Sequence, residues 1–230
     1  MWMLCLDSST EWCSVAVGDG RRWHVQDEHA GQSHSERLLP MVRAALAEAG
    51  LTLGQLDGIA FGAGPGSFTG IRIGCGVAQG LAFGADLPVI AVPTLEALAQ
   101  EAWRRHRWTT VAACLDARMR EVYFALYETD GTVWHARRGP VVETPGVLRA
   151  SATRGASGAG NGYAAYPSLA AELNLASVDA TLRPAAQSIG ELALPRLAAG
   201  EGVAAASALP LYVRHRVALT TAERDAGARL

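Results

Sequence analysis

Four polar residues, Asp7-Ser8-Ser9-Thr10, close a short apolar run near the start of the chain and lead straight into a second one. A carboxylate and three hydroxyls on a tight strand–turn–strand suit a phosphate or a bound magnesium ion. The same residues equally suit an Asx/Ser turn that satisfies its own backbone. A second candidate is the stretch Gly62-Ala63-Gly64-Pro65-Gly66-Ser67-Phe68-Thr69-Gly70, which joins a strand pattern to a helix pattern. Backbone N–H groups at a helix N-terminus favour anions, and glycine lets them come close. The stretch lacks the Gly-Lys-Ser/Thr of a Walker loop and does not match G-x-G-x-x-G. It therefore fits either an anion site or a plain sharp turn. Asp7, Ser9, Thr10, Gly64, Gly66 and Ser67 are the candidate nucleotide or phosphate contacts.

Other chemistries are poorly provided for. All 20 basic residues are arginine, which removes Schiff-base chemistry, a lysine general base and the lysine of a P-loop. The histidines at 24, 29, 34, 106, 135 and 215 show no i, i+4 pair, so no metal site is expected. Cys5, Cys13, Cys75 and Cys114 contain no C-x-x-C and read as buried reduced thiols. No G-x-S-x-G elbow and no H-E-x-x-H occurs, which leaves a serine hydrolase or a metallopeptidase without its nucleophile or its ligands. Asp116 is the obvious acid for an ATPase or kinase general base, and it equally suits a turn cap. No catalytic residue is assigned.

Several elements must position these groups. Residues 3–8 and 13–18 read as strands, and Asp19-Gly20 as a hairpin turn that returns residues 21–28 antiparallel. A helix is expected from near Ser33, with Glu36 completing a capping box and Gly50 closing it, while Pro40 kinks it or moves its start to about residue 35. Residues 58–62 form a fourth strand, 71–83 a helix and 88–92 a fifth strand, after which Thr94 caps a helix running to about residue 107. One lobe with a mixed five-stranded sheet therefore spans 1–107. Residues 110–116, 121–128 and 132–136 suggest another three-strand meander at the head of a second lobe, 108–230. This echo suggests a duplicated architecture. Between 145 and 209 the chain is alanine-rich, with a loop over 152–162 and a helix over 189–199.

Gly76, Gly80 and Gly84 recur at intervals of four in the second helix. Each glycine costs about 1 kcal/mol against alanine in a helix interior. Close approach of another backbone would compensate, either from the chain's own sheet or from a second subunit.

The 230 residues are half hydrophobic and 18% charged, with a formal net charge of −2. That balance supports a packed core and argues against free-standing nucleic-acid binding, which needs a basic face. Arginine clusters at 104–107, 137–138 and 214–216 read as solvated helix ends or turns. The opening residues lack the basic run of a secretory leader, and no apolar run reaches the roughly 18–20 residues of a membrane span. The expected location is cytoplasmic.

Together these segments resemble the actin-like, sugar-kinase-like ATPase (ASKHA, ribonuclease H-like) architecture, an α/β fold of two lobes each with a mixed β-sheet. Within it the chain resembles the bacterial TsaB (YeaZ) family. The resemblance rests on Leu4-Cys5-Leu6-Asp7-Ser8-Ser9-Thr10 with Cys13-Ser14-Val15-Ala16-Val17, and on His34-Ser35-Glu36 with Leu38-Leu39-Pro40. It rests further on Gly64-Pro65-Gly66-Ser67-Phe68-Thr69-Gly70-Ile71-Arg72-Ile73-Gly74 and on Leu115-Asp116-Ala117-Arg118-Met119 with Glu121-Val122-Tyr123. Pro210-Leu211-Tyr212-Val213-Arg214 with Val217-Ala218 completes it.

The resemblance implies a non-catalytic subunit for forming N6-threonylcarbamoyladenosine in tRNA, one that dimerises with and activates the catalytic paralogue TsaD. In TsaD an H-x-x-x-H pair binds a metal. The matching stretch here is Val92-Pro93-Thr94-Leu95-Glu96-Ala97-Leu98, in which Thr94 and Leu98 stand where the ligands would be. The partner surface would come from the helices near 34–49 and 71–84, with His34, Leu38, Leu39, Val42, Arg72, Gly76, Gly80 and Phe83 as its residues. Further implied are a TsaE-type ATPase in a larger complex, a homodimer when TsaD is missing, contact with tRNA only through the complex, and ATP or ADP at the level of the complex. The alternative is a working ASKHA-type nucleotide-binding ATPase or kinase.

Overall fold

Met3 and Cys5 face one side of the first strand, Leu4 and Leu6 the other, and all four are buried. A strand that is apolar on both faces belongs in mid-sheet with cover above and below. The computed structural model puts it there; the structure describes residues 1–148, 153 and 155–214. β1 (Met3–Asp7) pairs antiparallel with β2 (Trp12–Gly18), which pairs antiparallel with β3 (Trp23–His29). On its other side β1 runs parallel to β4 (Gly58–Gly64), and β4 runs parallel to β5 (Val89–Pro93). The order is β3-β2-β1-β4-β5.

The second sheet repeats it. β6 (Thr110–Asp116), β7 (Val122–Thr129) and β8 (Trp134–Glu143) form the antiparallel meander, and β9 (Ser157–Ala159) and β10 (Ser177–Asp179) extend β6 in parallel. The order β10-β9-β6-β7-β8 is that of the first sheet, strand for strand. The chain is thus an α/β fold with two mixed five-stranded sheets of one topology, and the expected duplication is present.

Helices fill three layers. α1 (His34–Ala49) and α2 (Phe68–Ala85) cover the outer face of the first sheet through Leu38, Met41, Val42, Ala45, Cys75, Ala78 and Ala82. α3 (Thr94–His106) lies between the sheets: Ala97 meets the first sheet's inner face, and Leu95, Leu98, Ala99 and Ala102 meet the second. The short helices α4 (Pro145–Leu148), α5 (Gly162–Ala165) and α6 (Leu169–Glu172) cover the far side of the second sheet with Leu148, Tyr163 and Leu169. α7 (Ala186–Ala198) comes late in the chain yet returns to the first sheet through Ala186, Ile189 and Ala193. A Cβ at Gly190 would stand 2.1 Å from the Trp23 ring, so α7 packs there with no room for a side chain.

Several local expectations need correction. Ser33 caps α1 without a side-chain bond, so the capping box with Glu36 does not form. Pro40 lies inside α1 and does not move its start, which is His34. Pro93, not Thr94, is the N-cap of α3, because the Thr94 hydroxyl is engaged elsewhere. β8 runs past Gly139 and Pro140 to Glu143, where it was expected to end near residue 136. An edge strand tolerates a proline that a central one would not. Within the expected loop over 152–162, residues 157–159 form β9. Val217 and Ala218, His215 and Arg216, and Ala152 lie outside the described residues. Among the described residues no helix is long and apolar enough to cross a membrane.

Candidate functional site

The ends of β1 and β6 are built alike. Asp7 closes β1 and its Oδ1 accepts from the N–H of Ser9 at 3.1 Å and the Ser9 hydroxyl at 2.9 Å. Asp116 closes β6 and its Oδ1 accepts from the N–H of Arg118 at 3.0 Å. Both are Asx turns, the self-satisfying alternative noted for Asp7. The other Asp7 oxygen, Oδ2, is buried with no hydrogen-bond partner, and burial pushes this carboxyl up to about 7. A Cβ on Gly62 would lie 2.0 Å from that oxygen, which is why the strand passing Asp7 carries glycine there.

The glycine loop spends much of its freedom on the turn after β1. Cβ atoms at Gly66 and Gly70 would meet the carbonyl oxygens of Ser9 and Ser8 at 2.4 and 2.0 Å. The N–H of Ser67 donates to the Ser9 carbonyl at 2.7 Å, and the Ser8 hydroxyl donates to the Gly70 carbonyl at 2.9 Å. Ser67 also caps α2 by accepting from the N–H of Gly70. Gly64, at φ +115°, donates its N–H to the Thr94 hydroxyl at 3.0 Å.

Between the sheets lies a cleft of about 790 Å³. Ser9, Thr10, Gly66 and Ser67 line it from the first sheet's side, and Asp116, Arg118, Tyr123 and Asn161 from the second. Asp7 and Gly64 are not among its lining residues. Asn161 holds the end of β6 by accepting from the N–H of Asp116 at 3.0 Å, and Arg118 pairs with Asp116 at 3.1 Å.

The chain's return across this cleft was not anticipated. The N–H of Leu211 donates to the Ala63 carbonyl at 2.7 Å, and Tyr212 accepts from Arg72 Nε at 2.8 Å. Arg214 then reaches the second sheet, donating to Glu121 at 2.6 Å and to the Ala117 carbonyl at 2.9 Å. Residues 208–214 therefore strap one sheet to the other. Only the resemblance of residues 210–214 pointed to them, since an irregular segment has no periodicity to read.

The expected partner residues divide into two groups. His34, Leu38 and Val42 are buried, and this corrects their placement on an outer surface. Leu38 and Val42 belong to the core beneath α1, and His34 Nε2 donates to the Thr10 carbonyl at 2.7 Å. Leu39, Arg72, Gly76, Gly80 and Phe83 are exposed, Phe83 to 83%. Apart from the adjoining backbone of α2 itself, no atom of the described residues lies within 4 Å of a Cβ built at Gly76, Gly80 or Gly84. Packing on the chain's own sheet is thus not what these glycines serve. Gly70 and Gly74, on another side of the same helix, do that by meeting Ser8. Near the helix start Arg72 lies over the Phe68 ring at 3.8 Å, beside Tyr212.

Thr94 and Leu98 are both buried, the first bonded to Gly64 and the second packed against the second sheet. Among the described residues no three His, Cys, Asp or Glu side chains converge as metal ligands.

Comparison with known proteins gives a consistent set. A family profile described as "TsaD: tRNA N6-adenosine threonylcarbamoyltransferase" matches residues 25–220. The tRNA threonylcarbamoyladenosine biosynthesis protein TsaB of Escherichia coli is 41% identical over 95% of this chain and 96% of its own. The TsaB of Haemophilus influenzae is 41% identical over 94% of each chain. The solved structure of YeaZ from Pseudomonas aeruginosa is 42% identical and superposes with a TM-score of 0.83, covering 92% of this chain and 99% of that one.

Proposed function

The chain belongs to the TsaB (YeaZ) family, and from that premise we propose that it is a non-catalytic subunit that pairs with and activates a TsaD-type enzyme. The pathway is tRNA threonylcarbamoyladenosine biosynthesis, which its relatives carry in their names.

The observation that carries the pairing is the open side of α2. Three glycines at four-residue spacing meet no other element among the described residues, and Phe83 stands exposed beside Gly84. Glycine at such positions weakens a helix by about 1 kcal/mol each, a cost offset when a partner's backbone comes close. A stable contact of this kind buries on the order of 1,200–2,000 Å² in total. Leu39 and Arg72 extend the surface; His34, Leu38 and Val42 support it from beneath. In the absence of TsaD the same surface joins two copies of the chain.

Lack of chemistry of its own is supported by Thr94 and Leu98, which stand buried where the paralogue's metal ligands are expected. A working ATPase is favoured less. Asp7 does not line the cleft, and Asp116, which does, is tied into a turn and paired with Arg118. The cleft wall formed by Ser9, Thr10, Gly66 and Ser67 leaves ATP or ADP a place at the level of the complex. On the same reading tRNA is met only through the complex, and a TsaE-type ATPase joins the larger assembly.

Light-scattering titration with the cognate TsaD tests the pairing. A one-to-one complex at micromolar concentration is expected, with no tRNA modification by this chain alone. Absence of any complex there, or modification by the isolated chain, would overturn it.

A further inference from the structure

A groove of about 630 Å³ runs between α3, α7 and the turn joining β7 to β8, and it shares no lining residue with the cleft. The indoles of Trp103 and Trp134 line it together with Leu192 and Pro195, and its charged groups are three carboxylates against the one guanidinium of Arg196. Two of the carboxylates are already engaged. Glu191 accepts from Gln100 at 2.7 Å, Gln187 at 3.1 Å and Arg104 at 3.0 Å. Glu201 accepts from Arg196 at 2.9 Å. Glu96 is different: it has neither a hydrogen bond nor an ion pair among the described residues. Burial holds its carboxyl above the usual range, against the weaker opposing pull of Arg196.

The aromatic walls are fixed in place. Trp134 donates from Nε1 to Gln100 Oε1 at 2.8 Å and stands edge-on to Tyr127. Trp103 already carries the guanidinium of Arg107 over its ring at 4.3 Å, and Arg107 does not line the groove. An unpaired, half-buried carboxylate costs free energy until a cation or hydrogen-bond donor meets it. Indole faces attract cations and bury their alkyl groups at the same time. The volume lies within the usual range for small-ligand sites.

We propose that this groove binds a small organic cation, an alkylammonium or guanidinium group, held between the two indoles with the Glu96 carboxylate as its counter-ion. A neutral ligand of the same shape would leave Glu96 unpaired, and an anion would be repelled by it. The site is independent of the pairing with TsaD.

Calorimetric titration of the full chain tests this, with choline, methylguanidine and the blocked peptide Gly-Arg-Gly as probes, and with 3,3-dimethylbutanol and methylurea as their neutral counterparts. The cations should bind saturably in the millimolar range or tighter, at least about tenfold better than the neutral compounds. Tighter binding of the peptide than of methylguanidine assigns the cation to a protein side chain; the reverse assigns it to a free small molecule. Glu96→Gln, which keeps the side-chain shape and removes the uncompensated charge, should weaken cation binding about tenfold or more with a melting temperature equal to or above that of the parent chain. Should that variant melt early, Trp134→Phe is the second test, and it too should weaken the cations. Equal binding of cations and neutral counterparts, no saturable binding of any cation, or affinity indifferent to both substitutions would overturn the proposal.

Discussion

The two sheets share one strand order and one turn after the first strand, yet they put that turn to different uses. In the first sheet Asp7 is sealed in, with one oxygen bonded to Ser9 and the other unpartnered. In the second Asp116 makes the same turn at the cleft wall and gives its other oxygen to Arg118. The outer layers differ as well. Two long helices, α1 and α2, cover the first sheet, whereas among the described residues the corresponding face of the second carries the four-residue helices α4, α5 and α6. A duplicated scaffold has kept its core pairing in both halves and built an extended outward helical face on one of them. The lobe division at about residue 107 is proposed on this basis, with the qualification that α7 belongs by packing to the first sheet.

The largest expected effect breaks the symmetry of the two aspartates. Asp7 is raised in the folded state, so the folded chain binds the proton more tightly than the unfolded chain does. Its stability is then fully present below about pH 4 and falls as pH rises toward about 7. Asp7→Asn should remove that fall, gaining up to about 4 kcal/mol at pH 8 and less at pH 5, as read by urea denaturation. A loss of stability at pH 8 would show that the carboxylate has a partner there.

Next come the two sets of glycines on α2. Gly70→Val drives a side chain into the Ser8 carbonyl and should cost about 3 kcal/mol or more. Gly80→Ala should act in the opposite direction, raising the chain's own stability by about 0.5–1 kcal/mol while weakening association. Equal destabilisation by both would place Gly80 in an internal contact.

Between these in size is the strap. Arg214→Ala removes the bonds to Glu121 and Ala117 and should lower stability by about 1–2 kcal/mol. Small-angle scattering should show the two sheets moving apart, and unchanged dimensions would mean that the remaining links, α3 and the Arg183–Asp27 pair among them, fix their separation.

The first sheet was legible because β1, β2, β4 and β5 are largely apolar, while the polar edge strand β3 was marked by the Asp-Gly turn before it. The long α1 and α2 were legible from their apolar spacing, and that spacing also marks the buried side. Leu38 and Val42 share the apolar period of α1 with the core, whereas the resemblance had put them on the partner surface; of that set on α1, Leu39 is the one left exposed. In α2 the spacing of Gly76, Gly80 and Gly84 put them on one face, and whether that face met a sheet or open space required coordinates. The second sheet's β9 and β10, three residues each, and its one-turn helices are too short for any periodicity to show. Asn161 reaches the cleft through a chain reversal that leaves no trace in local sequence, and Tyr212 was marked by the family resemblance of residues 210–214 alone.

The most direct test of the outward face is Gly80→Arg, assayed for association with TsaD by sedimentation velocity alongside a thermal melt. The complex should be lost or weakened at least about tenfold while the melting temperature stays near that of the parent chain, because the position is open in the isolated fold. Undiminished association by a normally melting variant would contradict docking through the glycine side of α2.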